Sequence, residues 1–390
     1  MISVSDALDA LLALVSPTAV ETVPLRAAAG RVLAAPVTAR RDQPPFAASA
    51  MDGYAVKAAE VERDAMFKII GESAAGHGFA GQVGAGQAVR IFTGAPVPKG
   101  ADFVVIQEDI SRTGSLITIS DHPGPGRNIR ALGSDFCVGS SVSAPRILSP
   151  ADIALLAAMN IADVPVRTKP TVALISTGDE LALPGDMPGP DQIIASNTFG
   201  LDAMITAVGA TARILPIARD TIGSLSMALE LANKADLIVT IGGASVGDHD
   251  LVEQVTEDVG MSRSFYKVAM RPGKPLMAGK IGPSAMVGLP GNPVSAMVCG
   301  HIFLLPMLRV MLGLSPETQT PPLAPLANDL PPNGPRTHYM RARLDNHGLH
   351  VFDDQDSARL ALFAEANALV IRPPHDTARQ KSEHLAYIAI

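Results

Sequence analysis

The chain is 390 residues long and carries 31 Lys and Arg against 38 Asp and Glu, a formal charge of −7. That balance, without any basic run, excludes a nucleic-acid protein, and the length predicts several domains at ~100–200 residues each. Hydrophobic residues make up 47% but aromatics only 4% and Trp none, so the cores must be built from Ala, Val, Leu, Ile and Met.

The 34 Gly and 32 Pro show no period, which excludes collagen-like and low-complexity readings. Cys137 and Cys299 are isolated and far apart, so they form neither a disulfide framework nor a metal site. Asp6 and Asp9 stand where a signal peptide would be basic, and a cytoplasmic protein is expected. The most apolar segment, 293–314, is interrupted by His301, Pro306 and Arg309. It falls short of the ~18 unbroken apolar residues of a spanning helix and predicts a buried helix kinked at Pro306.

In chain order, 3–15 has Leu8, Leu11, Leu12 and Val15 at helical spacing behind Ser3 or Ser5 as cap. A short strand is predicted at 19–25, and RRDQPP (40–45) reads as a crossing between domains. From Phe46 to about Gly139, short alternating segments (88–92, 103–106, 116–119) sit between Gly clusters and predict a small, mostly β domain inserted into the first. Ser149, Pro150 and Asp152 predict a helix start, and that helix is expected to pack on the N-terminal one. From Thr171 the pattern is βα repeated. Strands are predicted at 172–176, 212–216, 237–241, 264–268 and 285–288, and helices at 198–208, 222–233, after Asp250 and from Pro293. Such alternation implies a doubly wound, mostly parallel α/β sheet. PETQTPPLAP (316–325) reads as a linker, and the short alternating segments behind it as a small β-barrel or sandwich.

Three loops follow predicted strands of the α/β region: STGDEL (176–181), GGASVGDHD (242–250) and GLPGNPVS (288–295). The carboxyl ends of parallel strands share one sheet edge, so these loops should converge. They bring Gly backbone for close approach, hydroxyls, and acids able to hold a hard divalent cation; Mg²⁺ prefers one or two carboxylates plus substrate phosphate oxygens. Lys267 and the RPGKP segment (271–275) add cations fixed by two prolines and a glycine. Cations beside Mg²⁺-binding acids suit phosphate-anhydride chemistry. Each loop also has a plain structural reading: TGDEL as a helix cap, LPGNP as a turn and helix start, RPGKP as solvated surface. His249 has no second His or Cys at ligand spacing.

MDGYAV, RIFTGAPVPKGAD, ISTGDEL, GGASVGDHD, KVAMRPGKPL and GLPGNPVSA occur in this order between residues 51 and 296. Together they closely resemble the molybdopterin molybdenumtransferases, the molybdenum-inserting enzymes of molybdenum cofactor biosynthesis, a family that includes the C-terminal domain of gephyrin. The resemblance implies an elongated four-domain homodimer. Its parts are a discontinuous N-terminal domain (1–42 plus 140–168), the inserted mostly-β domain (43–139), the α/β domain (169–316) and a C-terminal β-barrel (317–390). It implies adenylylated molybdopterin and molybdate as substrates, Mg²⁺-dependent cleavage of the adenylyl phosphate with release of AMP, and transient contact with the adenylyltransferase that makes the substrate. It implies no nucleic acid and no membrane.

By position, the resemblance links Asp52, Glu180, Asp220 and Asp250 to catalysis, with Asp250, Glu180 and Asp220 on the metal. Ser245 and the backbone of Gly242 and Gly243 would hold phosphate. Lys267, Arg271 and Lys274 would bind the pterin phosphate or molybdate, with Pro290 and Pro293 on the same rim. Thr93 and Asp135 join Asp52 on the inserted-domain side of the cleft. Arg341 and Ser357 match an oxyanion-binding Arg and Ser. The pattern departs at 355–358, where Asp356 and Ala358 stand in place of Gly and a polar residue, and an acid beside a molybdate site is electrostatically unfavourable. Two other readings are a scaffold of the gephyrin type and a molybdopterin adenylyltransferase, which shares only the α/β domain.

Overall fold

A computed structural model describes residues 1–243, 251–316 and 320–390. The chain divides into two compact units, one of 1–21, 30–34 and 166–390, the other of 22–29 and 35–165. The first unit opens with helix α1 (Val4–Leu12), capped by Ser3, whose Oγ accepts the Asp6 amide at 3.0 Å. Ala7 and Leu11 bury its apolar face in that unit's main core, where α1 packs against the helical segment around residues 300–311.

The second unit is built on strands β1 (Gly53–Val56), β2 (Met66–Ser73), β3 (Gln87–Ile91), β4 (Phe103–Ile106), β5 (Ile110–Thr113) and β6 (Leu116–Ile119), in the order β4-β1-β3-β2-β6-β5. Period-two alternation sends Tyr54, Val56, Phe103 and Val105 to one core and Ala55, Ile91 and Val104 to the other. Helix α2 (Pro150–Ala158) starts on a capping box. Ser149 Oγ accepts the Asp152 amide, and the Asp152 carboxylate accepts the Ser149 amide at 2.9 Å. Burial alone would push the Asp152 carboxyl up, but these bonds and Arg146 outweigh it and hold it below its ordinary value.

The first unit continues with β7 (Thr171–Ser176), α3 (Asn197–Ala207), β8 (Thr211–Ile214), α4 (Ile222–Leu231), β9 (Leu237–Ile241), α5 (Leu251–Asp258) and β10 (Ser262–Tyr266). There follow β11 (Met270–Arg271), β12 (Met277–Ile281), β13 (Ser284–Leu289), α6 (Pro293–Cys299) and α7 (Leu305–Met311). The sheet order is β8-β7-β9-β13-β12-β10; the pairs among β8, β7, β9 and β13 are parallel and those of β12 antiparallel. Both faces are covered. Val172, Leu174, Val239 and Ile241 belong to one core, and Ala173, Ile175 and Ile238 to another. These strands therefore read as unbroken apolar runs.

The segment from Pro293 to Met311 is long and apolar enough to cross a membrane, but Val294, Val298, Phe303, Leu304, Met307 and Leu308 are buried core. The irregularity expected at Pro306 is a π-helical turn over Gly300–Leu304, which runs directly into the first turn of α7, where Pro306 stands without an N–H to donate.

The last elements are β14 (Leu323–Pro325), β15 (Thr337–Asp345), β16 (Gly348–Val351), α8 (Leu360–Glu365), β17 (Ala368–Arg372) and β18 (His384–Ala389). Their sheet runs β11-β15-β17-β18-β14 with β16 on β15, and a bridge from Leu326 to Leu349 curls it back on itself. It thus recruits β11, immediately ahead of the basic loop, from 50 residues or more upstream of its other strands.

Burial pushes His301, in the π-turn, down to about 4, so it is neutral in the fold. An unfolded His titrates near ~6.5, so below that pH the unfolded chain takes the proton first. Its contribution is complete above pH ~6.5 and is lost as pH falls towards about 4. His301→Gln should therefore flatten the acid slope of stability between those limits in urea denaturation; an unchanged slope would contradict this.

Candidate active site

The loops behind β7, β9 and β13 meet at the sheet edge. The Thr177 amide donates to Ile241 O at 3.0 Å, the Gly242 amide to Leu289 O at 3.0 Å, and Asn197 Nδ2 to Gly291 O at 2.7 Å. Gly242 has φ +94°, and a Cβ there would stand 2.8 Å from Thr177 O; any side chain would push these loops apart. A second clamp comes from the loop after β8. Arg219 donates to the carbonyls of Gly178, Asp179 and Leu181 at 3.4, 2.9 and 3.2 Å. Asp179 and Asp220 each accept the other's backbone amide, at 3.2 and 3.4 Å.

The result is a cavity of about 960 Å³ whose lining includes Glu180, Asp220, Gly242, Gly243, Pro290 and Pro293. The structure thus gathers six of the expected residues. Ser245 and Asp250 lie outside the described residues. Gly242 departs from its expected role: its amide is committed to Leu289 and is not free for phosphate, so of the two glycines only Gly243 has no backbone acceptor among the described residues.

A second cavity, of about 800 Å³, is lined by Arg271, Lys274, Arg336, His338 and the turn Asp353–Ser357. Pro275 and Asn292 line both cavities, so the two adjoin. Ser357 Oγ accepts from Asn292 Nδ2 at 3.0 Å, and Ser357 O takes the Val294 amide at 3.1 Å, which ties this turn to the start of α6. Asp356, expected to be unfavourable here, turns its Oδ1 onto the Ala358 amide at 2.9 Å; Asp354 caps Asp356 and pairs with Arg359. These acids are therefore partly offset within their own turn.

Two expected cations lie elsewhere. Lys267 lines neither cavity; it sits at φ +70°, with Nζ 4.5 Å from the Tyr266 ring centroid. Arg341 is 1% exposed and also lines neither cavity. In the pleat of β15 it stands an odd number of residues from His338, on the opposite face. Its guanidinium donates to Asp354 O, Arg359 O and Gln355 Oε1, so it shapes the Asp353–Ser357 turn from behind.

Asp52, Thr93 and Asp135 belong to the other compact unit. Thr93 N and Oγ1 both donate to Asp52 Oδ1 at 2.8 Å, and the amide bond is the main cause holding that carboxyl below its ordinary range. Arg90 stands over the Tyr54 and Phe92 rings, 5.0 and 4.9 Å from their centroids. Asp135 is exposed, with its amide on Gln43 O at 2.9 Å.

Comparison with known proteins assigns this arrangement. Family profiles match three stretches: "MoeA N-terminal region (domain I and II)" over residues 2–160, "Probable molybdopterin binding domain" over 173–310, and "MoeA C-terminal region (domain IV)" over 323–388. The molybdopterin molybdenumtransferase of Nostoc sp. is 35% identical over 373 residues, covering 92% of this chain and 86% of that one. Molybdopterin molybdenumtransferase 2 of Mycobacterium tuberculosis is 35% identical over 368 residues, covering 90% of each. The chain belongs to the molybdopterin molybdenumtransferase family. A solved structure of the molybdopterin biosynthesis MoeA protein of Pyrococcus horikosii matches at TM-score 0.86 and 29% identity, over 100% of this chain and 99% of that one.

The donor set of the acidic cavity fits Mg²⁺. Among the described residues no cluster of three His, Cys, Asp or Glu is gathered. Glu180 and Asp220 nonetheless line one cavity, and two carboxylates suffice where substrate phosphate and water complete an octahedron.

Sequence reading missed Arg219 and His338, while Asp179 and Asn292 stood inside the converging loops without a role of their own. The signal for Arg219 was available: an Arg-Asp pair directly behind an edge strand of a parallel sheet. His338 carried none, because its role depends on which strands flank it. Arg219→Leu should lower turnover at least about tenfold by freeing the Glu180 loop, with the fold retained by circular dichroism. Wild-type turnover in that variant would show the clamp to be dispensable.

Proposed function

We propose that this transferase of molybdenum cofactor biosynthesis inserts molybdate into adenylylated molybdopterin, with Mg²⁺-dependent cleavage of the adenylyl phosphate and release of AMP. The observation that carries the reading is the adjacency of an acid-lined and a cation-lined cavity in one unit, sharing Pro275 and Asn292. A nucleotide-linked pterin dithiolene needs both: carboxylates for a phosphate-bound metal and cations for phosphate and incoming oxyanion.

Glu180 and Asp220, with Asp250, would hold Mg²⁺, which when bound offsets charge and polarises the phosphate anhydride. The Gly243 amide, without a backbone acceptor among the described residues, would donate to a phosphate. Among the described residues no carboxylate pairs with Arg271 or Lys274, so both remain available to an anion. Ser357 supplies a hydroxyl on the same wall, and Arg341 keeps its turn in place from behind. The same reading makes the enzyme a cytoplasmic homodimer. In it Asp52, Thr93 and Asp135 complete the cleft across the dimer, and an adenylyltransferase hands over the substrate.

The test is AMP release from adenylylated molybdopterin. AMP should appear only with both molybdate and Mg²⁺, and Asp220→Asn should slow it by about a hundredfold or more. AMP release independent of molybdate, or consumption of ATP, would overturn the reading. Lys274→Ala should weaken molybdate binding about tenfold at low salt, and unchanged affinity by calorimetry would count against its role.

A further inference from the structure

Strand register places three residues abreast. His338 pairs with Arg271 of β11 on one side and with Arg372 of β17 on the other. Paired residues share a sheet face, so an imidazole lies between two guanidiniums on the wall of the cation-lined cavity. His338 is 6% exposed, and its Nε2 is buried without a hydrogen-bond partner among the described residues. Buried polar atoms without partners are rare in folded proteins, and one that borders a cavity is positioned to bond what enters it.

The flanking cations differ in freedom. Arg372 is fixed: Nε meets Asp376, and Nη2 donates to Pro331 O and Thr377 O at 3.0 and 2.8 Å. Arg336, on the same cavity wall, donates to Met270 O at 3.4 Å, whereas Arg271 and Lys274 have no carboxylate partner among the described residues. Arg341 contributes from the opposite face of β15. The opposing acids of the cavity are Asp353, Asp354 and Asp356, the latter two engaged in capping their own turn.

We propose that His338 is a proton-linked binding residue for the oxyanion: its Nε2–H donates to an oxygen of the tetrahedral anion held by Arg271 and Lys274, and the imidazole takes up a proton as the anion enters. This rests on the reading of the cavity as the oxyanion site.

The linkage follows from electrostatics. In the free protein, burial above all, then Arg271, Arg372, Arg336 and Arg341, push His338 down to about 4, so it is neutral near pH 7. A dianion beside it reverses the sign of the local field and favours imidazolium. Binding then carries a proton, and affinity rises as pH falls.

The test is calorimetric titration of the full chain with molybdate, and separately with sulfate, at pH 6.5 and pH 8, in two buffers of different ionisation enthalpy. Wild type should bind more tightly at pH 6.5 and take up a fraction of a proton. His338→Leu should lose about tenfold in affinity, together with the pH dependence. His338→Gln, which keeps an N–H donor but cannot titrate, should recover affinity without the pH dependence. Thermal melting confirms that each variant is folded. If wild type binds neither anion, the oxyanion reading and this inference both fall. If wild type binds and Lys274→Ala weakens it, the reading stands. Wild-type affinity in His338→Leu, or a pH dependence that survives in either variant or is absent from wild type, then overturns the role of His338 alone.

Discussion

Everything at the candidate site depends on how closely three loops approach at the carboxyl edge of one parallel sheet. The Gly242 Cα lies where a Cβ would strike Thr177 O, and Gly291 in turn reaches Gly242 Cα to within 3.5 Å of its own would-be Cβ. Parallel strands impose this crowding, because each carries its connection out on the same edge. Bulk at that point would separate the carboxylate-bearing loop from the loop that starts α6. The absence of side chains is thus what lets Glu180 and Asp220 line the same space as Pro290 and Pro293.

The cation-lined cavity is assembled differently. Arg271 and Lys274 stand on a loop of the α/β part, but the loop is anchored by β11, which pairs with β15 in the C-terminal sheet. That one short pairing brings Arg271 beside His338, whose other side is taken by Arg372 of β17. The Asp353–Ser357 turn is fixed from behind by Arg341 and from the side by Asn292. Positive charge is therefore held on a rigid frame, and its fixed charges need little reorganisation when an anion arrives.

Much of this was legible from residue order, for identifiable reasons. Leu237–Ile241 is buried on both faces, and only a central parallel strand needs five such residues in a row. Ser149, Pro150 and Asp152 mark a helix start because each satisfies a specific need of its first turn. What escaped depends on long-range pairing. Arg341 looks like a free cation in sequence, yet the pleat turns it away from the cavity and burial commits its donors to carbonyls. Lys267 looks equivalent to Lys274, yet it lines neither cavity while Lys274 does. Arg219 and His338 matter only through partners that are remote in the chain.

The central claim is that acids and cations of one unit serve adjoining halves of a single reaction. Anomalous diffraction from crystals grown with molybdate and with Mn²⁺ in place of Mg²⁺ tests it most directly. The account predicts a molybdenum peak within hydrogen-bonding reach of Arg271, Lys274 and Ser357, and a manganese peak on the carboxylates of Glu180 and Asp220. A molybdenum peak away from that wall, or manganese bound to other acids, would contradict it.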